Sequence, residues 1–180
     1  PCGKQHDVVW VHEAGHQQER AQRRGVAGAA ARVAVLEPGH HAVGDQRVAP
    51  DALAALLHLE SRNVRRFVCS STKQEVLTEY VRANKIDHLL DGCMGWTTGL
   101  DKGQQVELIL EEHHLEPSEV LFVGDSLLDW DFIKDKGVRF LGVRRIFDEQ
   151  DFRRRGLLSA RDLTVLTHPW RFSSMLLSTD

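Results

Sequence analysis

Cysteine is scarce in this chain. There are three, Cys2, Cys69 and Cys93, with no paired or metal-type spacing. That excludes a disulfide-stapled scaffold and a thiolate zinc module, and Cys69 and Cys93, set in apolar stretches, read as buried thiols of a reduced compartment. No apolar run approaches the roughly 20 residues needed to span a bilayer. The first residues lack the basic, apolar, small-residue order of a signal peptide, so a cytoplasmic location and no membrane partner are expected. Charge of one sign is also lacking. The formal net charge is −3, which gives no electrostatic case for nucleic acid as a partner. Repeats and low-complexity tracts are absent.

What remains is ordinary globular material, 42% hydrophobic and 27% charged over 180 residues, enough for one domain with a core. Composition changes near residue 50. Residues 1–50 carry five of the ten histidines, and Gln17–Arg32 is mostly Gln, Arg, Ala and Gly. Two short apolar runs there, Val8–Val11 and Val33–Leu36, each read as a strand in a weak context. The chain therefore divides into an atypical segment 1–50, a core 51–166 and a tail 167–180.

Beyond Pro50 the periodicity sharpens. Helices are expected over Asp51–Arg62 (Leu53, Leu56, Leu57 and Leu59), Lys73–Lys85 (Val76, Leu77, Tyr80 and Val81) and Lys102–Leu115 (Val106, Ile109, Leu110 and His113). A fourth, Asp129–Lys136, stops at Gly137. Apolar runs at Arg66–Cys69, Gly92–Trp96, Val120–Val123 and Arg139–Val143 alternate with them. Continuous apolar strands between helices indicate a Rossmann-like, three-layer parallel sheet. In such sheets chemistry collects where strand carboxyl ends open into loops. Ser70-Ser71-Thr72 and Gly124-Asp125-Ser126 both sit there.

Three pieces then carry the chemistry. Ser70, Ser71 and the following amides can hold an anion at a helix start. Lys102 is a point charge able to offset a phosphate or a carboxylate. Asp125 and Asp129 are hard oxygen ligands suited to Mg²⁺. An anion cradle, a cation and a Mg²⁺ site together suggest phosphoryl transfer by positioning and charge neutralisation. The bland readings are a cap for Ser70 and Asp125, a helix-start charge for Asp129 and a solvated lysine for Lys102. Arg144 and Arg145 read as a solvated loop.

The order Phe67-Val68-Cys69-Ser70, then Asp101-Lys102-Gly103, then Gly124-Asp125-Ser126-Leu127-Leu128-Asp129 resembles the haloacid dehalogenase superfamily, in its phosphoglycolate-phosphatase-like branch, over about 115 residues. The resemblance implies Mg²⁺-dependent hydrolysis of a small phosphorylated substrate. Ser70 would bind phosphate with Ser71 beside it, Lys102 would stabilise a phosphoaspartate, and Asp125 would hold the metal with Asp129 nearby. The family's first motif, an apolar strand leading into Asp-x-Asp, is not found. The nearest frame is Val8-Val9-Trp10-Val11-His12-Glu13-Ala14, with His12 where the nucleophile belongs and Ala14 where the acid/base belongs. A phosphatase impaired in this chain is therefore expected. A non-catalytic remnant that still binds phosphate or Mg²⁺ is the rival. His12-Glu13-Ala14-Gly15-His16 also spells the H-E-x-x-H zinc-peptidase pattern, with Glu37 or His40 as a third ligand, but Gln17 and Gln18 follow where an apolar residue is usual. Neither substrate identity nor oligomeric state follows from the sequence.

Overall fold

A computed structural model of the chain describes residues 6–12, 47–97 and 99–168. Six strands form one sheet. They are β1 (His6–His12), β2 (Val64–Lys73), β3 (Gly92–Trp96), β4 (Leu121–Gly124), β5 (Arg139–Val143) and β6 (Ser159–Ala160), in the spatial order β3-β2-β1-β4-β5-β6. Five helices accompany them: α1 (Pro50–Ser61), α2 (Gln74–Ala83), α3 (Lys102–Glu112), α4 (Leu127–Ile133) and α5 (Glu149–Arg154). Short 3₁₀ turns lie at Asp87–Leu89, Pro117–Glu119 and Leu163–Thr167.

All four residues of β4 and the run Arg66–Ser70 of β2 are buried. Side chains on successive strand residues point to opposite faces, so both faces of the sheet are covered. This is the α/β layer architecture that the alternating pattern implies. The core gathers Phe67, Val68, Phe122 and Val123 from the sheet, Ala55, Leu56 and Leu59 from α1, and Val106 and Ile109 from α3.

One strand departs from the all-parallel expectation. β2 pairs with β3, β4 with β5 and β5 with β6 in parallel, but β1 runs antiparallel to both β2 and β4. It occupies the centre of the sheet, with its polarity reversed. The sequence could not reveal this, because Val-Val-Trp-Val has the same apolar pattern read in either direction. An antiparallel neighbour also needs no crossover helix, and the end of β1 (His12) faces the start of β2 (Val64).

The helix boundaries follow local chemistry. α1 opens with Pro50 in its first turn, where the missing N–H costs nothing. Its buried stripe is Ala52, Ala55, Leu56 and Leu59, while Leu53 and Leu57 face outward. Asp101 caps α3 in a reciprocal box with Gln104, and Ser126 does the same for α4 with Asp129. The turn after α4 ends at Gly137, whose φ of +74° is a conformation that L side chains rarely adopt. Val33–Leu36 and Gln17–Arg32 lie outside the described residues. Among the described residues, no helix is long and apolar enough to cross a membrane.

Candidate active site

Strand register brings two of the expected site residues into line. Val8 of β1 pairs with Val68 on one side and Val123 on the other. Ser70 and Asp125 each lie two residues further along strands that run in the same direction. They therefore occupy one row at the carboxyl edge, two strand spacings or about 10 Å apart. Ser70 and Asp125 are both buried.

Lys102, the first residue of α3, reaches the same edge from above. Its Nζ donates to Asp129 Oδ1 at 2.8 Å, and both side chains are almost wholly buried. The other oxygen, Oδ2, accepts from the Ser126 amide at 3.1 Å. Asp129 is thus fixed twice, by the helix cap and by the lysine. Gly124 makes room for it, since a Cβ at that position would stand 2.8 Å from Asp129 Oδ2. Burial drives Lys102 below the ordinary lysine range, against the upward pull of Asp129 and then Asp125. Burial likewise drives Asp129 above the ordinary carboxylate range, while Lys102 and the Ser126 amide pull it down. The short contact in geometry suited to an ion pair favours keeping both charges.

The Ser70 hydroxyl accepts from the Thr72 amide at 3.0 Å, which shapes the turn leaving β2. The Ser70 carbonyl accepts from Gln105 Nε2 at 3.3 Å, and the same nitrogen donates to the Gly95 carbonyl at 3.3 Å. Gln105 thereby ties α3 to the ends of β2 and β3. Sequence reading passed over it, although a glutamine three residues after Lys102, on the inward face of an amphipathic helix, was the available signal. Ser71, partly exposed, opens with Trp96, Leu100, Lys102 and Phe132 onto a cavity of about 370 Å³.

The structure therefore brings together Ser70, Ser71, Lys102, Asp125 and Asp129. It does not bring His12 to them, because His12 pairs with Val64 at the opposite edge. His12 also lies in a strand rather than on the helix that a zinc motif needs, and Glu13, His16, Glu37 and His40 fall outside the described residues. Among the described residues, no group of three or more His, Cys, Asp or Glu side chains could hold a metal. A larger cavity of about 600 Å³ lies past β5, lined by Arg144, Arg145 and Arg153. Neither Asp125 nor Asp129 is among its lining residues. Arg144 pairs with Glu149 at 2.6 Å and Arg145 with Asp51 at 2.9 Å. Cys69 is buried, and burial pushes the Cys93 thiol up to about 12, so both belong to the packing and not to the chemistry.

A sheet edge with a buried lysine–carboxylate pair and a second carboxylate frames the candidate site, and comparison with known proteins identifies the family. The sequence profile of the haloacid dehalogenase-like hydrolases matches residues 14–143, and the chain belongs to that family. The match runs across residue 50, so residues 14–50 share in the family pattern. A phosphoglycolate phosphatase of Staphylothermus marinus is 30% identical over 90 residues, covering 46% of this chain and 37% of that protein. A hydrolase of the haloacid dehalogenase-like family from Streptococcus pneumoniae superposes with a TM-score of 0.62 at 18% identity, over 69% of this chain and 60% of that one. For a superfamily hydrolase from Ehrlichia chaffeensis the values are 0.61 and 19%, over 76% and 63%. These two likenesses speak for the fold. The chain spans little more than a third of its curated relative and about three-fifths of the solved structures.

Proposed function

We propose that this chain carries the phosphoryl-binding half of a Mg²⁺-dependent phosphohydrolase acting on small phosphate monoesters. The observation that supports it best is the buried Lys102–Asp129 pair, 2.8 Å across, at the edge where Ser70 and Asp125 share a row. Such a pair is expensive to bury. It makes sense where a fixed positive charge must meet a phosphoryl group in a site shielded from water.

The donor set fits Mg²⁺, which takes one or two carboxylates and fills the rest of its shell with water and phosphate oxygens. Asp125 is the carboxylate in line with the phosphate cradle. Asp129 stands beside it with both oxygens already engaged, so its part there is mainly to hold Lys102. When bound, the metal supplies charge neutralisation at the phosphoryl oxygens. Ser70, Ser71 and the amides after β2 orient the phosphate, and Lys102 offsets its charge.

Catalysis is impaired in the chain as written. Attack on phosphorus in this family needs a carboxylate nucleophile at the carboxyl end of the central strand. That end of β1 carries His12, and the reversal of β1 puts it at the far edge. Ser70, Lys102 and Asp125 bind and polarise a phosphate without replacing the nucleophile. The same observation favours a second reading, a remnant that binds phosphate or Mg²⁺ without turnover. A phosphatase assay with Mg²⁺ and an aryl phosphate, beside an Asp125→Ala control and a titration of inorganic phosphate, separates them. Weak turnover lost in the control supports the impaired enzyme. Binding without turnover supports the remnant. Robust turnover sinks the claim of impairment, and absence of both turnover and binding sinks the phosphohydrolase reading.

A further inference from the structure

The cavity of about 370 Å³ beside Lys102 is larger than a phosphate alone needs, and two of the proposed phosphate ligands, Ser71 and Lys102, stand in its wall. Its size is that of a small-molecule pocket. Its walls are unusual for a surface cleft. Trp96 at the end of β3 and Phe132 on α4 are 44% and 41% exposed, and both line it, with Leu100 between their segments. Large aromatic side chains left open to water around a cavity offer flat faces for a ring.

Two polar groups of the wall are committed to each other, while Gln105 Oε1 is buried without a hydrogen-bond partner among the described residues. Asp101 accepts from the Gln104 amide at 2.9 Å, and Gln104 Oε1 accepts from the Asp101 amide at 2.8 Å, so both are spent on capping α3. Gln105 directs its NH₂ at two carbonyl oxygens, of Ser70 and Gly95, which fixes the amide orientation, since the reverse would set oxygen against oxygen. Among the described residues lining the cavity, the one cation is Lys102, and it is held by Asp129. A second anionic group on a substrate would therefore find aromatic rings and the Asp101 carboxylate rather than a counter-charge.

We propose that this cavity receives the alcohol portion of the substrate and selects an uncharged, ring-bearing phosphate monoester, with Trp96 and Phe132 as its walls. The inference rests on the phosphohydrolase reading for the position of the phosphate. It also sets this chain apart from an enzyme built for an acidic leaving group. Ser71 and Lys102 stand where the cavity meets the phosphate cradle, so one ester spans both.

Calorimetric titration of the full chain in Mg²⁺ with inorganic phosphate, phenyl phosphate and 2-phosphoglycolate tests it. Phenyl phosphate is expected to bind about tenfold tighter than phosphate, the gain typical of an added aromatic contact, and 2-phosphoglycolate no tighter than phosphate. Trp96→Ala and Phe132→Ala should each remove most of that gain while leaving phosphate affinity unchanged. Equal affinity for phenyl phosphate and phosphate overturns the proposal. So does preference for 2-phosphoglycolate, or a phenyl gain that survives both substitutions. Binding of phenyl phosphate alone, lost in Trp96→Ala, keeps the pocket and discards the phosphate cradle. Failure of all three ligands to bind discards both.

Discussion

Removing one partner of the Lys102–Asp129 pair strands the other charge in a buried site. The cost of breaking such a pair is about 3–5 kcal/mol, far above that of an exposed ion pair such as Arg154–Asp151. Asp129→Ala should therefore destabilise the chain by about that much in urea unfolding, and the Lys102→Met/Asp129→Leu double variant should recover most of it. Additive losses in the double variant would mean that the two groups do not interact. His113 supplies a second residue-level expectation. Its ring lies 4.6 Å from that of Phe67 and contacts the Arg65 guanidinium. Burial first, and Arg65 second, hold its pKa below the usual 6.5. The folded state thus binds this proton less readily than the unfolded chain does. Stability contributed by the neutral ring is present above pH 6.5 and is lost as pH falls from 6.5 through the lowered folded value. Thermal unfolding followed from pH 7.5 to 5 should show the decline, and His113→Gln should flatten it. An unchanged slope in the variant would assign the decline to another group, such as His58, whose pKa burial also lowers.

Elements differ in how far their sequence disclosed them. The start and buried face of α3 were legible, because Val106, Ile109 and Leu110 repeat at helical spacing and Asp101 caps the start, but the helix ends at Glu112 rather than at the expected Leu115. β3, β4 and β5 were legible from short apolar runs. For α1 the leucines pointed to a helix but misplaced its buried face, since Ala52 and Ala55 allow the close approach that Leu53 and Leu57 do not. α5 escaped notice because Glu149–Arg154 has one buried apolar residue, Phe152, too few for any period. Ser70, Lys102, Asp125 and Asp129 stood out as candidates because each adjoins a strongly patterned element. Gln105 was passed over despite its inward-facing position on α3, because the carbonyls it meets come from two other elements. The packing of α5 gives a prediction that the pattern alone would never yield. A Cβ on Gly142 of β5 would stand 2.6 Å from the Phe152 ring. Gly142→Ala should cost about 1–3 kcal/mol by overpacking, and Gly142→Ala with Phe152→Leu should cost less than the two separate losses added together. Simple additivity in denaturant titrations would show that the ring has room to move.

For the molecule as a whole, everything hangs on the central strand. β2 and β4 do not pair with each other, and the sheet is continuous only because β1 bonds to both. Its removal would divide the sheet into β3-β2 and β4-β5-β6. The inner edges of β2 and β4 would then present rows of backbone N–H and C=O groups in the middle of a covered sheet. Each such group left without a partner costs about 1–3 kcal/mol, and register pairs β1 with seven positions of β2 and three of β4. A domain held by a net 5–15 kcal/mol does not survive such a loss. Deleting residues 1–12 should therefore abolish cooperative unfolding and promote association through the exposed edges. A deleted chain that unfolds cooperatively at the same midpoint would show that β1 does not fill the centre of the sheet. It would also remove the structural reason for placing His12 away from Ser70, Lys102 and Asp125, and with it one of the two grounds on which catalysis is held to be impaired.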